Sequence, residues 1–284
     1  MLPPVDRLSA LMERLRARAH LFHAGPLCGL THFDAQPGRG FLHVLRRGEM
    51  TLTHRARSGA PKRLRITRPS LLFYPRPLVH DFHNAPAEGS DFVCASLDFD
   101  GGDQHPLVRA LPPVLVVPLA DLPGLEPTLA LLFTETEALR CGQRLLADRL
   151  FEVLLLQLLR WVLDHPAEAG VPRGLLQGLS HPQLCRALVA LHREPGAPWT
   201  LQRMAAEAGM SRSAFAAAFK AHVEETPAEH LLRWRATLAQ GRLRDGAALK
   251  TIAHELGYGS ASALSRAFTQ VLGVSPRHWL SQTQ

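Results

Sequence analysis

One pattern occurs twice between residues 198 and 280, and few folds accommodate it. Ala205-Ala206-Glu207-Ala208-Gly209 is followed by Met210-Ser211, and Ala253-His254-Glu255-Leu256-Gly257 by Tyr258-Gly259-Ser260. Glycine is the residue that ends a helix in the left-handed conformation at little steric cost, so Gly209 and Gly257 read as helix stops. Ser211 and Ser260 stand where a hydroxyl accepts from the free N–H groups of a following helix, predicted over 212–223 and 261–272. Pro227 and Pro276 suit the first turns of two more helices. A short helix, a tight turn and a capped second helix make a helix-turn-helix, here written twice.

Spacing within each second helix separates an inner from an outer face. Phe215 and Phe219 are four apart, as are Leu264 and Phe268, so each pair shares one side and points into the domain. The opposite side of the first copy carries Arg212, Ser213, Ala216, Ala217 and Lys220. That of the second carries Ser262, Ser265, Arg266 and Thr269 beside the cap Ser260. Laid in a major groove, such side chains reach base edges and phosphates. An arginine pairs bidentately with guanine, whereas alanine offers only apolar contact, so Arg266 predicts that the second copy reads more sequence than the first. A helix predicted over 227–240 joins the copies; at ~1.5 Å per residue it spans roughly 20 Å, which helps to set two recognition helices about 34 Å apart. Arg233, Arg235, Arg242 and Arg244 on or after it either meet phosphates or form salt links to Glu229 and Asp245.

Charge supports a polyanionic partner. The 284 residues carry a net charge of +7, and from residue 181 onward 12 Lys and Arg against 7 Asp and Glu leave +5 of it in the last third. The length predicts two domains. No apolar run approaches the roughly 18 residues of a membrane span; the densest, 151–163, is broken by Glu152, Gln157 and Arg160. Asp6, Glu13 and several arginines occupy the place of a secretion signal's apolar core, which predicts a cytoplasmic protein. Cys28, Cys94, Cys141 and Cys185 are widely spaced and read as free thiols.

The rest of the chain divides by periodicity. Leu8, Leu11, Met12 and Leu15 predict an amphipathic helix over 5–19. Short apolar segments at 40–44, 50–54, 62–66, 70–74 and 92–99, separated by glycine and proline, predict a small all-β barrel or sandwich. Helices are predicted at about 127–139 and 143–164; this pair either covers the open side of the barrel or pairs subunits into a homodimer. Residues 165–180, with three glycines and two prolines, read as a linker. Helices follow at 181–192, 201–208, 212–223, 227–240, 248–256, 261–272 and 276–280.

With these motifs in view, residues 181–280 resemble the DNA-binding domain of the AraC-type transcription regulators, down to the closing Leu272-Gly273-Val274-Ser275-Pro276-Arg277-His278-Trp279. Leu264 and Leu280 depart from the phenylalanine and arginine common there. The β-rich part resembles the cupin-like sensor of one branch of that family. Cupins hold a metal through H-x-H-x3-E and P-x-G-x2-H-x3-N; here the segments are His43-Val44-Leu45-Arg46-Arg47-Gly48-Glu49 and Pro75-Arg76-Pro77-Leu78-Val79-His80 through Asn84. Leu45 replaces the second histidine and Pro77 the glycine. The resemblance therefore leaves His43, Glu49 and His80 as the metal or effector residues, with His23, His32, Cys28 and Cys94 as possible additions; metal or redox sensing, an organic effector and a vestigial structural barrel stay open.

The resemblance implies an α+β chain: a cupin-like sensor and dimerisation domain with a helical hairpin over 1–164, a linker over 165–180, and an all-α DNA-binding domain over 181–284. It implies a non-enzymatic transcription regulator, such as an activator, that holds double-stranded promoter DNA, with RNA polymerase a further partner of an activator and a small-molecule, metal or redox effector. The competing reading is a metal-dependent cupin enzyme with a DNA-binding appendage. Leu45 and the lack of a nucleophile elbow, P-loop or dinucleotide fingerprint count against it.

Overall fold

A computed structural model describes residues 5–85 and 89–283. The chain forms two compact units, Arg16–Pro172 and a second that joins Met1–Leu15 to Arg173–Gln284. The first helix in the chain, α1 (Ser9–Met12), belongs to the second unit.

In the first unit, short alternating and fully apolar segments become strands β1 (Ala17–Leu27), β2 (Leu30–Phe33), β3 (Arg39–Arg47), β4 (Met50–His54), β5 (Arg63–Ile66), β6 (Ser70–Tyr74), β7 (His80–Asn84), β8 (Ser90–Phe99) and β9 (Leu115–Pro118). They pair as two sheets, β1-β8-β3-β6-β9 and β2-β7-β4-β5, rather than as one closed ring, so the all-β expectation resolves as a sandwich. Phe41, Leu45, Leu72, Tyr74, Phe92 and Cys94 of the five-stranded sheet pack against Met50, Leu52, Ile66 and Phe82 of the other. Burial of this apolar area is the main force holding the sheets together. α2 (Pro106–Ala110) precedes β9, and the expected hairpin follows as α3 (Glu126–Glu137) and α4 (Gln143–Asp164). α4 lies along the edge strand β1, whose outward amides it satisfies: Asp148 Oδ1 accepts from Leu21 N at 2.7 Å and Glu152 Oε1 from Ala19 N at 3.4 Å.

The second unit continues with α5 (Leu175–Ser180), α6 (Leu184–Arg193), α7 (Leu201–Glu207), α8 (Arg212–Val223), α9 (Pro227–Arg244), α10 (Leu249–Glu255), α11 (Ala261–Leu272) and α12 (Pro276–Thr283). Three boundaries differ from the sequence reading. The helix expected over 5–19 is a single turn, because residues from 17 onward enter β1; Leu8, Leu11 and Leu15 nevertheless share a buried face, and α1 packs on α6, so 1–164 is not one body. The expected linker contains α5, whose Leu175, Leu176 and Leu179 are buried; Gly178 is a contact point, since a Cβ there would lie 2.7 Å from Val223 Cγ2 and 2.8 Å from Leu188 Cδ1. α9 runs 18 residues, so it spans ~27 Å; Gly241 does not stop it, and the left-handed residue after it is Gly246 (φ 78°).

Candidate nucleic-acid interface and histidine site

Both turns form as their residues dictate. Gly209 (φ 63°) and Gly257 (φ 75°) are left-handed. Ser211 Oγ accepts from Ala214 N at 3.2 Å and Ser260 Oγ from Ala263 N at 3.1 Å, each closing the first turn of a recognition helix. Thr226 caps α9 in a reciprocal capping box with Glu229. Phe215, Phe219, Leu264 and Phe268 are fully buried and fix the orientation of α8 and α11.

The outer faces are open. Arg212, Ser213, Ala217 and Lys220 on α8 are exposed, with Ala216 half-buried; Ser262, Arg266 and Thr269 on α11 and the cap Ser260 are exposed, with Ser265 half-buried. Some of these groups are tied locally: Lys220 Nζ donates to Glu224 O at 2.9 Å, Thr269 Oγ1 to Ser265 O at 2.8 Å, and Ser213 Oγ lies 3.3 Å from Ser211 Oγ. Among the described residues no carboxylate forms a salt bridge with Arg212 or Arg266, which leaves one unneutralised guanidinium on each face.

The arginines of α9 are engaged. Arg233 pairs with Glu225 and Arg242 bidentately with Glu255 (2.7 and 2.9 Å), so their salt links go to Glu225 and Glu255 and not to Glu229 and Asp245. Arg235 donates to Pro195 O at 2.7 Å and Ala197 O at 3.1 Å, and Arg244 lies over the Trp279 ring. Gly196 touches the second turn directly, its O lying 2.2 Å from where a Cβ on Gly257 would sit. This backbone contact between the loop before the first motif and the turn of the second has no sequence signal beyond the two glycines.

In the sheet unit, His43 on β3 and His80 on β7 are fully buried and meet, Nε2 to Nε2, at 3.1 Å. His80 Nδ1 bonds to Leu78 O at 2.8 Å; a carbonyl only accepts, so this nitrogen donates and, in the neutral ring, leaves Nε2 bare. His43 Nε2–H therefore donates to it, and His43 Nδ1 is a buried acceptor without a hydrogen-bond partner among the described residues. Aromatic rings enclose the pair: Tyr74 stacks on His80 at 3.9 Å, Phe33 also stacks on His80 at 4.8 Å, and Phe82 stands edge-on to His43 at 4.9 Å. Burial, reinforced by His80 and His23, holds His43 well below the ordinary histidine range; burial lowers His80 to about 4. Both rings are neutral at physiological pH.

Glu49 does not join them. It is exposed in the turn after β3, and its Oε2 pairs with Arg65 at 3.0 Å, because the bend at Gly48 turns it off the strand. Of the possible additions, Cys94 lies opposite His43 on β8, its thiol raised by burial; Cys28 is exposed, His23 bonds Gly25 O, and His32 bonds Asp81 and Asp34. Among the described residues no three His, Cys, Asp or Glu side chains converge as a metal site. The set His43, Glu49 and His80 does not fit a metal ion.

Residues 6–164 match a cupin family model and residues 204–282 a helix-turn-helix domain model, the first alone covering more than half of the 284 residues. Together they define a cupin-domain protein with a C-terminal helix-turn-helix domain. A putative AraC-like transcription regulator of Streptomyces lividans is 42% identical over 195 residues, 66% of this chain and 63% of that protein. The HTH-type transcriptional regulator AlkR of Acinetobacter baylyi is 34% identical over 189 residues, 64% of this chain and 61% of that protein. The chain thus spans about three-fifths of the length of these relatives. The DNA-binding domain of AdpA, solved in complex with a target DNA, aligns with 36% of this chain and 93% of its own at 24% identity and a TM-score of 0.34. The chain belongs to the cupin family that the first model describes, carries a C-terminal helix-turn-helix domain, and is similar in sequence to AraC-like regulators.

Proposed function

We propose that this protein is a cytoplasmic, sequence-specific DNA-binding transcription regulator, with no catalytic step of its own. Its two recognition helices, α8 and α11, enter successive major grooves of promoter DNA. Arg212, Lys220 and Arg266 supply the charge, Ser213, Ser260, Ser262, Ser265 and Thr269 the neutral polar contacts, and Ala216 and Ala217 apolar ones. The observation that carries this reading is the pair of outward faces on α8 and α11, each presenting a guanidinium unmatched by any carboxylate among the described residues. Among those residues no helix is long and apolar enough to cross a membrane.

The sheet unit senses an effector and shifts the population of DNA-binding conformations. The aromatic enclosure of His43 and His80 favours an organic effector over a metal, and the bare His43 Nδ1 would accept a hydrogen bond from it. Dimerisation through α4 fits the exposed Leu145, Val153 and Leu156, which lie on one face. In an activator, the DNA-bound dimer also meets RNA polymerase. The test is selection of bound fragments from genomic DNA with the purified protein, followed by footprinting. Two protected blocks about one helical turn apart are expected, with affinity falling as salt rises by a log–log slope of roughly 0.9 per neutralised phosphate. Binding without sequence preference refutes the reading.

A further inference from the structure

A second buried histidine pair lies in the helical unit, outside the interface. His192 on α6 and His230 on α9 are buried, with Nε2 atoms 3.0 Å apart. His230 Nδ1 bonds to Glu225 Oε1 at 2.8 Å, and Arg233 holds the other oxygen of that carboxylate at 2.9 Å. Glu225 sits in the turn between α8 and α9, directly after Glu224, whose left-handed φ of 66° is unusual for a residue with a side chain. Phe219, the buried anchor of the first recognition helix, stands edge-on to His230 at 5.7 Å. The chain of bonds therefore ties α6, α9 and the end of α8 together at one point.

With both rings neutral, its proton arrangement has one solution. The Glu225 carboxylate accepts, so His230 Nδ1 donates and, in the neutral ring, its Nε2 is bare. His192 Nε2–H must then be the donor between the rings. That leaves His192 Nδ1 as a bare, buried nitrogen with no hydrogen-bond partner among the described residues, beneath Trp234, whose Nε1 is likewise unpartnered. A proton added at His192 Nδ1 creates a buried cation with no acceptor among the described residues and Arg14 nearby.

We propose that the Glu225–His230–His192 chain is a proton-sensitive latch on the first helix-turn-helix, which opens in acid and loosens that motif's hold on DNA. Burial, with His230 and Arg14, keeps His192 well below its ordinary value, so the folded state takes up its proton later than the unfolded state does. A lowered folded value means stability that is complete above about pH 6.5 and is lost as the pH falls below it. The α1 segment packed on α6 brings Asp6, Arg7, Glu13 and Arg14; Asp6 is held by Leu8 N and Ser9, and of these four only Arg14 acts on His192. α5 has no titratable side chain, Arg203 of α7 and Glu194 engage one another, Lys220 of α8 bonds Glu224 O, and Arg233 of α9 is held by Glu225. The remaining pair, His181 at the end of α5 and His222 on α8, is the same in wild type and in any variant at position 192.

The test is hydrogen exchange by mass spectrometry on the full chain at pH 7.5 and 5.5, corrected for intrinsic rates, in wild type and His192→Gln. The glutamine amide still donates to His230 Nε2 but takes no proton. With an unfolded value near 6.5 for His192 and no proton taken up by that one ring in the closed latch, the opening equilibrium of α6 and of residues 224–234 should rise about tenfold in wild type between these pH values. It should rise no more than about twofold in the variant, by the same reasoning. Equal protection of wild type at both pH values overturns the latch, and this needs no variant. An equal loss in wild type and His192→Gln, or in His192→Asn should glutamine fail to fold, overturns it too. The DNA arm rests on the reading above. Operator affinity should fall with the same pH difference in wild type only, and unchanged affinity despite opening overturns the link to DNA. Absence of DNA binding at either pH refutes the regulator reading and leaves the exchange result to decide the latch.

Discussion

Gly209 and Gly257 hold equivalent places in the two turns, yet alanine should cost them different amounts. Both are left-handed, so each substitution carries the strain of a side chain at positive φ, about 1–2 kcal/mol. At Gly209 no atom of the described residues lies within 4 Å of the added Cβ, so the cost ends there. At Gly257 the Cβ would sit 2.2 Å from Gly196 O and 2.9 Å from Gly196 C, both backbone atoms. Relief requires the loop and the turn to part by about 1 Å, at an overpacking cost of roughly 1–3 kcal/mol. The loop resists, because Arg235 holds Pro195 O and Ala197 O on either side of Gly196. Gly257→Ala should therefore destabilise the helical unit by about 2–5 kcal/mol and Gly209→Ala by about 1–2 kcal/mol. Urea unfolding followed by helical circular dichroism measures both, with comparable m-values licensing the comparison. Equal losses, or a larger loss at Gly209, would show that the Gly196 contact does not constrain the second turn.

Four further outcomes follow from the same geometry. Arg266→Ala should weaken operator binding by roughly 1–3 kcal/mol and relax a guanine preference, whereas Arg212→Ala should weaken it with little change in preference; a binding-site selection on both variants decides. The opposite pattern would assign the reading to α8. Leu145→Glu combined with Leu156→Glu, both on the exposed side of α4, should give a folded monomer in sedimentation equilibrium if α4 pairs subunits. His80→Ala leaves the His43 Nε2–H without its acceptor and removes a ring stacked on Tyr74, so the sheet unit should lose on the order of 2–4 kcal/mol. The wild-type protein should contain no stoichiometric metal by elemental analysis, since Glu49 is turned outward; a metal lost in both His43→Ala and His80→Ala would reverse that conclusion.

Legibility differed between the two units for a physical reason. In the helical unit the information is local. Glycine stops, serine caps and apolar pairs four apart each act within one turn of chain, and Ser211, Ser260, Phe215, Phe219, Leu264 and Phe268 stand where their spacing predicts. The ends of α9 and the existence of α5 were less legible, because Gly241 and Gly178 look alike in sequence while tertiary contact determines what each does. In the sheet unit the partners of a histidine lie on other strands. Sequence spacing aligned His43, Glu49 and His80 with a ligand pattern, and only the pairing of strands brings His80 to His43 while the bend at Gly48 takes Glu49 to Arg65.

The two motifs share local chemistry but not the same support. α9 is the spacer between them, yet a helix fixes distance better than rotation about its own axis. Rotation is set by what touches both ends. Arg242, near the end of α9, holds Glu255 at the end of α10; Arg235 holds the loop after α6; and Gly196 in that loop abuts Gly257. The second turn is thus clamped to α9 and to the approach to the first motif, while the first motif leans on α6 through Phe219, His230 and His192. A change at Gly196 or Gly257 should therefore alter the angle between α8 and α11 and the preferred spacing of half-sites. Titration of His192 should weaken the hold of α8 without moving α11. Footprints that lose one block in acid and keep the other would separate these two controls.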